Sequence, residues 1–337
     1  MYKRQPLDLA YESLAPNTFG NFSISSLLIK TAFSSRSENS SATFDKFKEN
    51  RILIARRLAA EDPNSQGVND EGFPNGYGSS NQAVLLPAFL AAYSGTNAEN
   101  ISTSAFKDTP LPNWDIKYTG LMKMKWFKKR FKRFSLAHGY RSTYTINQFQ
   151  TNLEFDGDDR SLTDQNGNFR NEILFSNVNL IEQFSPLFKI DMETKGSIKV
   201  SAEMKKDRAL SFSFDNNLLT EIFGNEYIIG LGYRLKDLSF PLRVGGKRRM
   251  LKSDLNFKMD LSLRENQTVI RYIDLDDSEV TAGQSIYGLN FTADYSLSKN
   301  LTALFFYDHT FSTFAISTAF PQTTIRGGFT LRYNFGN

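Results

Sequence analysis

Apolar and polar residues alternate along the C-terminal segment 324–335. The apolar set is Ile325, Gly327, Phe329, Leu331, Tyr333 and Phe335. The polar or small set between them is Thr324, Arg326, Gly328, Thr330, Arg332 and Asn334. Because a β-strand projects successive side chains to opposite sides, this pattern predicts a strand with one apolar and one polar face. It recurs along the last two thirds of the chain in pieces of about ten residues, the length of a tilted strand that crosses a bilayer. The sequence therefore predicts an all-β protein, an antiparallel section of a transmembrane β-barrel wall.

The last strand gives the sharpest prediction of which face meets lipid. The residues expected to face lipid are Phe329, Leu331, Tyr333 and Phe335. The residues expected to face the lumen are Arg326, Arg332 and Asn334. An arginine on the lipid face near the bilayer midplane costs roughly 2–4 kcal/mol, whereas an arginine in a wet lumen costs little.

Strand-like alternation fills the chain from residue 131 onward. It predicts roughly ten antiparallel strands paired in sequence order. The tight turns are expected at Lys195-Gly196, Lys206-Asp207 and Ser298 to Asn300. A change of apolar phase predicts a bulge near Asn147 or Gln148.

The first third of the chain is mixed. We expect a division into residues 6–122, a strand with a helical and loop insertion outside the wall, and residues 123–337, the barrel section. Within the first part, residues 19–33 read as one strand and residues 44–60 as a helix that stops at Asp62-Pro63. Residues 62–82 are rich in Gly, Asn, Pro and Ser and predict a loop, and residues 84–93 predict a short apolar helix or strand.

The N-terminal residues carry no signal peptide, because the charged start is not followed by an apolar segment. An outer-membrane protein has to be exported, so we expect the natural start to lie upstream. Residues 1–5 resemble the translated end of a sequencing adapter and are left out of the fold prediction.

Composition narrows the class of protein. Lys plus Arg is 40 and Asp plus Glu is 36, and the excess of +4 is too small to favour nucleic acid as a partner. No apolar run of about 18 residues is present, which excludes an α-helical membrane protein. The sequence has no cysteine, so thiol chemistry and disulfides are excluded. The alternative is a soluble antiparallel barrel or sandwich. Against it, the polar faces are densely ionic and the apolar faces mix aromatic with small residues.

Candidate catalytic and metal-binding residues do not form a recognisable pattern. His138 and His309 share the phase of the apolar face, which favours aromatic residues at a membrane interface over a catalytic role. The acidic runs at 156–164 and 274–279 lack the spacing of a calcium loop and favour solvated loops. We expect no enzyme activity, no cofactor and no metal site.

A basic segment precedes the strand region. Its members are Lys125, Trp126, Lys128, Lys129, Lys132 and Arg133. Met124, Phe127, Phe131 and Phe134 follow helical spacing, which suits an interfacial helix with cations toward lipid phosphates. Two alternatives remain open, namely a strand start whose cations snorkel and, less favoured, a nucleic-acid surface.

Four separated segments resemble one known family. They are Leu111-Pro112-Asn113-Trp114, Tyr118-Thr119-Gly120-Leu121, His138-Gly139-Tyr140-Arg141-Ser142 with Tyr144, and Leu235-Lys236-Asp237-Leu238. In this order they are similar to the C-terminal region of the SprA (Sov) family, the outer-membrane translocon of type IX secretion in Bacteroidota, which is linked to gliding motility. One departure is that Gly336-Asn337 follows Phe335, whereas the usual signal for the barrel-assembly machinery ends on the aromatic residue.

The resemblance implies a function and partners. The chain would supply part of a very large single-chain barrel in the outer membrane, so its sheet is not expected to close on itself. The barrel would pass folded cargo that carries a type IX C-terminal signal domain. A plug protein and a small shuttle barrel would gate it. The alternatives are a complete small outer-membrane barrel, acting as a porin or enzyme, and a soluble β-rich binding domain.

Overall fold

An antiparallel sheet of eleven strands dominates the structure. The computed structural model describes residues 2–4, 11–13, 18–36, 41–244, 247–275, 277–298, 300–316 and 319–335. The first strands are β1 (Tyr2–Arg4), β2 (Tyr11–Ser13), β3 (Phe19–Ser25), β4 (Trp114–Tyr118), β5 (Phe131–Thr151), β6 (Ile173–Leu174) and β7 (Asn177–Thr194). The remaining strands are β8 (Ile198–Ser213), β9 (Leu218–Val244), β10 (Lys247–Tyr272), β11 (Asp277–Ser296), β12 (Leu301–Phe314) and β13 (Gln322–Tyr333). The helices are α1 (Ala42–Glu61), α2 (Gln82–Ser94) and α3 (Lys125–Arg130), with 3₁₀ turns at Ile29–Thr31 and Gly120–Lys123.

The strands pair in sequence order. The path runs β13-β12-β11-β10-β9-β8-β7-β5-β3, and β4 and the short β6 also pair with β5. β1 and β2 form a separate two-stranded sheet. In the described part of the chain no α-helix follows Arg130, so the prediction of one antiparallel sheet from residue 131 is confirmed. The described sheet is open, with β13 at one edge and β3 at the other, as expected.

Three sequence predictions about the strands are wrong. No turn occurs at Lys206-Asp207, because β8 runs unbroken through it and Lys206 pairs with Phe184 and Asn225. The strands after β6 are 12 to 27 residues long, which exceeds the predicted length of ten, although the nine described strands from residue 131 onward agree with the roughly ten predicted. The strand predicted over residues 19–33 ends at Ser25 and gives way to a 3₁₀ turn. The first two errors share a cause, since the strands continue past the apolar zone into a zone of charged residues.

Three local predictions are confirmed. Gln148 has φ of +54°, and β5 has one extra residue against β3 there, so the bulge exists. The tight turn at Lys195-Gly196 joins β7 to β8. The Ser298 amide donates a hydrogen bond of 3.0 Å to the Leu301 carbonyl oxygen and so closes the turn between β11 and β12.

Capping residues mark the ends of the two long helices. Helix α1 begins after Ser41, whose hydroxyl accepts a hydrogen bond from the Phe44 amide, and it ends where Asp62-Pro63 was expected to stop it. Helix α2 begins after Asn81 and ends at Gly95, whose φ of +69° is the left-handed cap conformation that glycine adopts without strain. The apolar segment 84–93 is therefore helical, and it is buried on all sides.

The helices pack on one face of the sheet. Residues 27–36 and 41–113, between β3 and β4, are called the helical insertion below. Phe47 and Phe89 of the insertion contact Phe212 of β8, with ring centroids 5.7 and 5.5 Å away. Tyr144 and Leu180 on β5 and β7 belong to the same buried cluster. The main core therefore lies between the helices and the sheet end that carries the longer loops.

Candidate membrane-facing belt

The same sheet face that holds the helices becomes an exposed apolar surface farther along the strands. The register places its residues in five successive rows across β8 to β13. The upper row, nearest the insertion, is Met204, Tyr227, Leu263, Tyr287, Phe311 and Thr323. The next two rows are Ala202, Ile229, Leu261, Leu289, His309 and Ile325, then Val200, Leu231, Met259, Phe291, Tyr307 and Gly327. The lower two are Ile198, Tyr233, Phe257, Ala293, Phe305 and Phe329, then Leu235, Leu255, Tyr295, Ala303 and Leu331. We call these rows the belt.

The belt has the dimension and layering of a lipid-facing band. From Tyr227 to Leu235 the belt covers nine residues of β9, about the length of a tilted strand that crosses a bilayer. Aromatic residues are most frequent in the upper row, with three, and in the row through Tyr233, with four, whereas the row through Ile229 is aliphatic apart from His309. Ile229 is 52% exposed and Phe329 is 67% exposed. A continuous apolar surface of this size requires a covering partner.

The opposite face is mostly polar and carries several ion pairs. Glu203 of β8 lies between Lys189 of β7 at 2.8 Å and Lys205 at 3.7 Å, and Lys205 reaches Glu226 of β9 at 3.0 Å. Further along the sheet, Arg326 pairs with Asp308 at 3.3 Å. Such half-exposed pairs add little to stability individually. Together these pairs make this face of the sheet hydrophilic.

Glycines open a hollow in the ionic face. A Cβ on Gly230 would lie within 3 Å of the Ser201 hydroxyl and of an Asp260 carboxylate oxygen, so a larger residue here would require these side chains to move. Gly232 lies on the same face, and the hollow above the two glycines has a volume of about 440 Å³. Lys199 and Asp260 are among the side chains that line it.

The last strand divides its side chains as predicted. Phe329 and Leu331 lie opposite Phe305 and Ala303 of the belt, and Arg326 and Arg332 lie on the other face. Tyr333 pairs with Leu301. Asn334 and Phe335 follow the end of β13, and Phe335 is 94% exposed. Which of the two faces meets lipid stays a prediction.

The basic segment is only partly helical. Helix α3 covers Lys125 to Arg130, and the predicted helical stripe through Phe134 is wrong beyond that point, because β5 starts at Phe131. Trp126 packs edge-on against Phe127 and lies under the Arg130 guanidinium at 4.4 Å. The set Lys125, Lys128 and Lys129 is exposed. Lys132 and Arg133 lie on the strand and pair with Glu193 at 3.1 and 3.7 Å. The interfacial role stays a prediction.

The two histidines are not close to one another in the sheet. His309 lies in the belt between Leu289 and Ile325. The Nδ1 of His138 lies 2.7 Å from the Leu187 carbonyl oxygen, and its ring is 6.3 Å from that of Trp114. Among the described residues, no cluster of three or more His, Asp or Glu side chains could hold a metal ion.

In the acidic loop after β5, backbone amides of the loop itself donate hydrogen bonds to a carboxylate. The carboxylate of Asp164 accepts hydrogen bonds from the amides of Asn166 and Asn168 at 2.8 and 2.9 Å. Asn168 then accepts a bond from the Gly78 amide at 2.9 Å and so ties the loop to the helical insertion. This loop therefore has a structural function in the described part of the chain. Asp276 of the second acidic run lies outside the described residues.

Two of the segments that carry the family resemblance meet in space. β4 pairs with β5, so that the Trp114 ring stacks on the Tyr140 ring at 4.6 Å. The Asn113 side chain accepts a hydrogen bond from the Ser142 amide at 2.8 Å. A Cβ on Gly139 would lie 2.9 Å from the Ser185 carbonyl oxygen, which explains a glycine there.

Two buried ion pairs connect the insertion to the sheet, and sequence reasoning missed both. Glu182 and Arg208 lie 3.0 Å apart, and the Tyr140 hydroxyl donates to Glu182 at 2.8 Å. The Arg208 guanidinium donates to the Thr31 carbonyl at 3.1 Å. The pair itself is almost fully buried. The signal in the sequence was a charged residue, Glu182 or Arg208, at a position that alternates in phase with the apolar residues of its strand.

The second pair lies nearer helix α2. Glu221 and Arg271 are 2.7 Å apart, each 1% exposed, and the Tyr93 hydroxyl donates to Glu221 at 2.5 Å. Burial, together with the negative Glu221, raises the pKa of Tyr93 well above its usual value, although the positive Arg271 opposes the shift. Buried charges are stable only when every partner is present, so the insertion and the sheet depend on one another.

No protein-family model and no curated protein matches the sequence. Within the described ranges, none of the helices is long and apolar enough to cross a bilayer.

Proposed function

We propose that the chain is a section of an outer-membrane β-barrel wall, with the belt facing lipid and the ionic face lining an aqueous lumen. The observation that carries this proposal is the belt, which is apolar, exposed and of bilayer dimensions on one face of an open sheet. In a closed wall every backbone group is hydrogen-bonded, so strands cross lipid at no polar cost. The helical insertion lies beyond the belt on the same face, and therefore outside the wall.

We further propose that the complete wall conducts protein, as the SprA resemblance implies. The chain would have no enzymatic role. It would be assembled by the barrel-assembly machinery, and its lumen would pass folded cargo with type IX C-terminal signal domains. A plug protein and a shuttle barrel would control the openings. The ionic face supports this role, because alternating charges hold water and bind no single surface strongly.

The absence of native cysteine permits a clean test of the belt. Single cysteines replace Leu261 and Leu289 on the belt, Ser201 and Ser262 on the ionic face, and exposed Ser102 in the insertion. Each variant is expressed in outer membranes and treated with a water-soluble maleimide and then with a lipid-soluble one. The expected result is that the belt cysteines react only with the lipid-soluble reagent, whereas the other three react with the first.

Reaction of Leu261→Cys and Leu289→Cys with the water-soluble reagent in intact membranes contradicts the membrane role. A monodisperse, heat-modifiable species formed by this chain alone in detergent favours the complete small barrel instead. An open section should aggregate through its edge strands.

The secretion role has a separate test. In the bacterium that encodes the chain, deletion of its gene should leave cargo with type IX signal domains in the periplasm and stop gliding. Expression of the gene from a plasmid should restore both. Normal secretion in the deletion strain contradicts the translocon role and leaves the membrane role intact.

A further inference from the structure

A row of polar residues separates the belt from the helical insertion. One step above the upper row, the register aligns Lys206, Asn225, Glu265, Ser285 and Thr313. We call this row the collar. If the belt is covered by acyl chains, the collar lies at the level of the lipid headgroups, because headgroups begin where the apolar band ends.

Two cations lie at the collar without a carboxylate partner. The Arg36 guanidinium lies on the Phe223 ring at 3.4 Å, and the Lys206 ammonium lies 5.4 Å from the centre of the Phe33 ring. Neither has an ion pair with any described residue. Phe33 is 60% exposed, so an aromatic side chain and a cation stand together at the border, as is common for residues at membrane interfaces.

The charge balance beneath the insertion leaves a positive excess. Arg36, Lys206, Arg208 and Arg271 stand against Glu182 and Glu221, which gives 4 − 2 = +2. Exposed Glu265 in the collar reduces the excess to +1. Glu182 and Glu221 are already paired with Arg208 and Arg271, so the remaining charge of +1 comes from Arg36 and Lys206 set against Glu265.

The environment of Arg36 favours an anion. Burial lowers the pKa of Arg36 to about 10; the negative Glu221 opposes this shift, and the positive Arg208 and Arg271 add to it. The side chain remains charged at neutral pH and would be stabilised by a bound anion. A hollow of about 320 Å³ lies beside it, lined also by Asn225, Ser285, Thr313 and the carboxylate of Glu265. The first three side chains could donate further hydrogen bonds.

We propose that Arg36 and Lys206 bind the phosphate group of a membrane lipid whose acyl chains lie on the belt. The site fixes the depth at which the wall sits, because the insertion above the collar blocks further entry. This inference rests on the proposed membrane role of the belt. It assigns a phosphate-bearing lipid to the collar, and the channel function alone does not require such a ligand.

The test uses the whole chain in dodecyl maltoside micelles and counts bound lipid by native mass spectrometry. The probes are phosphatidic acid, diacylglycerol with the same acyl chains, and inorganic phosphate. The double variant Arg36→Gln/Lys206→Gln is compared with the charge-preserving swap Arg36→Lys/Lys206→Arg. The matched control is Lys46→Gln/Arg56→Gln, which removes the same charges from exposed positions of α1.

The unaltered chain, the swap and the matched control should bind phosphatidic acid at least about tenfold more tightly than the double glutamine variant. Diacylglycerol should bind all four equally. Equal phosphatidic acid binding by all variants overturns the proposal. Displacement of phosphatidic acid by equimolar inorganic phosphate also overturns it, because free phosphate would then be the ligand.

Incorporation into phosphatidylcholine vesicles separates this proposal from the one it rests on. If all variants float with the vesicles but bind phosphatidic acid equally, the belt proposal stands and the collar proposal fails. If the unaltered chain does not associate with vesicles, the belt proposal fails and the collar proposal fails with it.

Discussion

The two ends of one sheet face differ in what covers them. At the insertion end, the face carries apolar side chains and two buried ion pairs, and the helices remove it from water. At the belt end, the same strand phase carries only a few polar side chains and stays exposed in the isolated chain. Charged groups on this face therefore lie under the insertion, where protein partners neutralise them, or in the collar at its border. The belt carries none, as the proposed contact with hydrocarbon requires.

The largest effect is expected from breaking a buried pair at the insertion end. Arg271→Met leaves the Glu221 carboxylate buried without its counter-ion and should lower the free energy of unfolding by about 3–5 kcal/mol. The measurement is urea denaturation in detergent, followed by protease cleavage of the insertion. Arg264→Met is the matched control, because Arg264 is 3.9 Å from Asp207 in a half-exposed pair. Its cost should stay below about 1 kcal/mol. Equal costs for the two variants would show that the Glu221 pair is not buried as described.

The next effect concerns the belt end. Leu331→Arg places a cation beside Ala303 on the belt and should cost roughly 2–4 kcal/mol, enough to block assembly of the full-length barrel. Arg332→Leu, its neighbour on the ionic face, should be tolerated. Outer-membrane fractionation measures both. If the two variants assemble equally, the faces are assigned wrongly or no membrane is involved.

A smaller effect is expected where the two regions meet. Gly139→Ala would push a methyl group against the Ser185 carbonyl oxygen and should destabilise by about 1–3 kcal/mol. Gly157→Ala is the control, since no atom lies within 4 Å of a Cβ built there. Thermal unfolding of both variants in detergent gives the comparison. A similar loss at Gly157 would mean that glycine flexibility, and not close packing, sets the cost.

The smallest expected effect is a loss of stability at high pH, where Tyr93 loses its proton. Because the folded pKa of Tyr93 is raised, the stability linked to its neutral hydroxyl is complete below the ordinary tyrosine pKa of about 10. It is lost as the pH rises toward the folded pKa. Protease cleavage of the insertion should therefore accelerate above about pH 10. In Tyr93→Phe that acceleration should be weaker, and cleavage of the belt strands should not change in either protein.

The alternation of residues predicted much of the sheet but little of the site under the insertion. It gave the strand order and the bulge at Gln148, because neighbouring strands and single-residue insertions leave a local trace of period two. It also placed Arg326 and Arg332 opposite Phe329 and Leu331. It failed at Lys206, where the charged side chain was taken as a turn. A strand that passes from an exposed apolar zone into a zone covered by helices changes composition without changing direction.

The sequence by itself determined which side chains share a face, since a strand's two-residue period is a property of the local backbone. It also determined α1, whose end is set by Asp62-Pro63, whereas residues 84–93 stayed open between a helix and a strand until the fold showed α2. Only the tertiary structure decided that one face has two different surroundings. Arg208 meets Thr31 across 177 positions of sequence, and Tyr93 meets Glu221 across 128. A buried charge is stabilised by whichever groups the fold brings to it, and no local pattern records which groups those are.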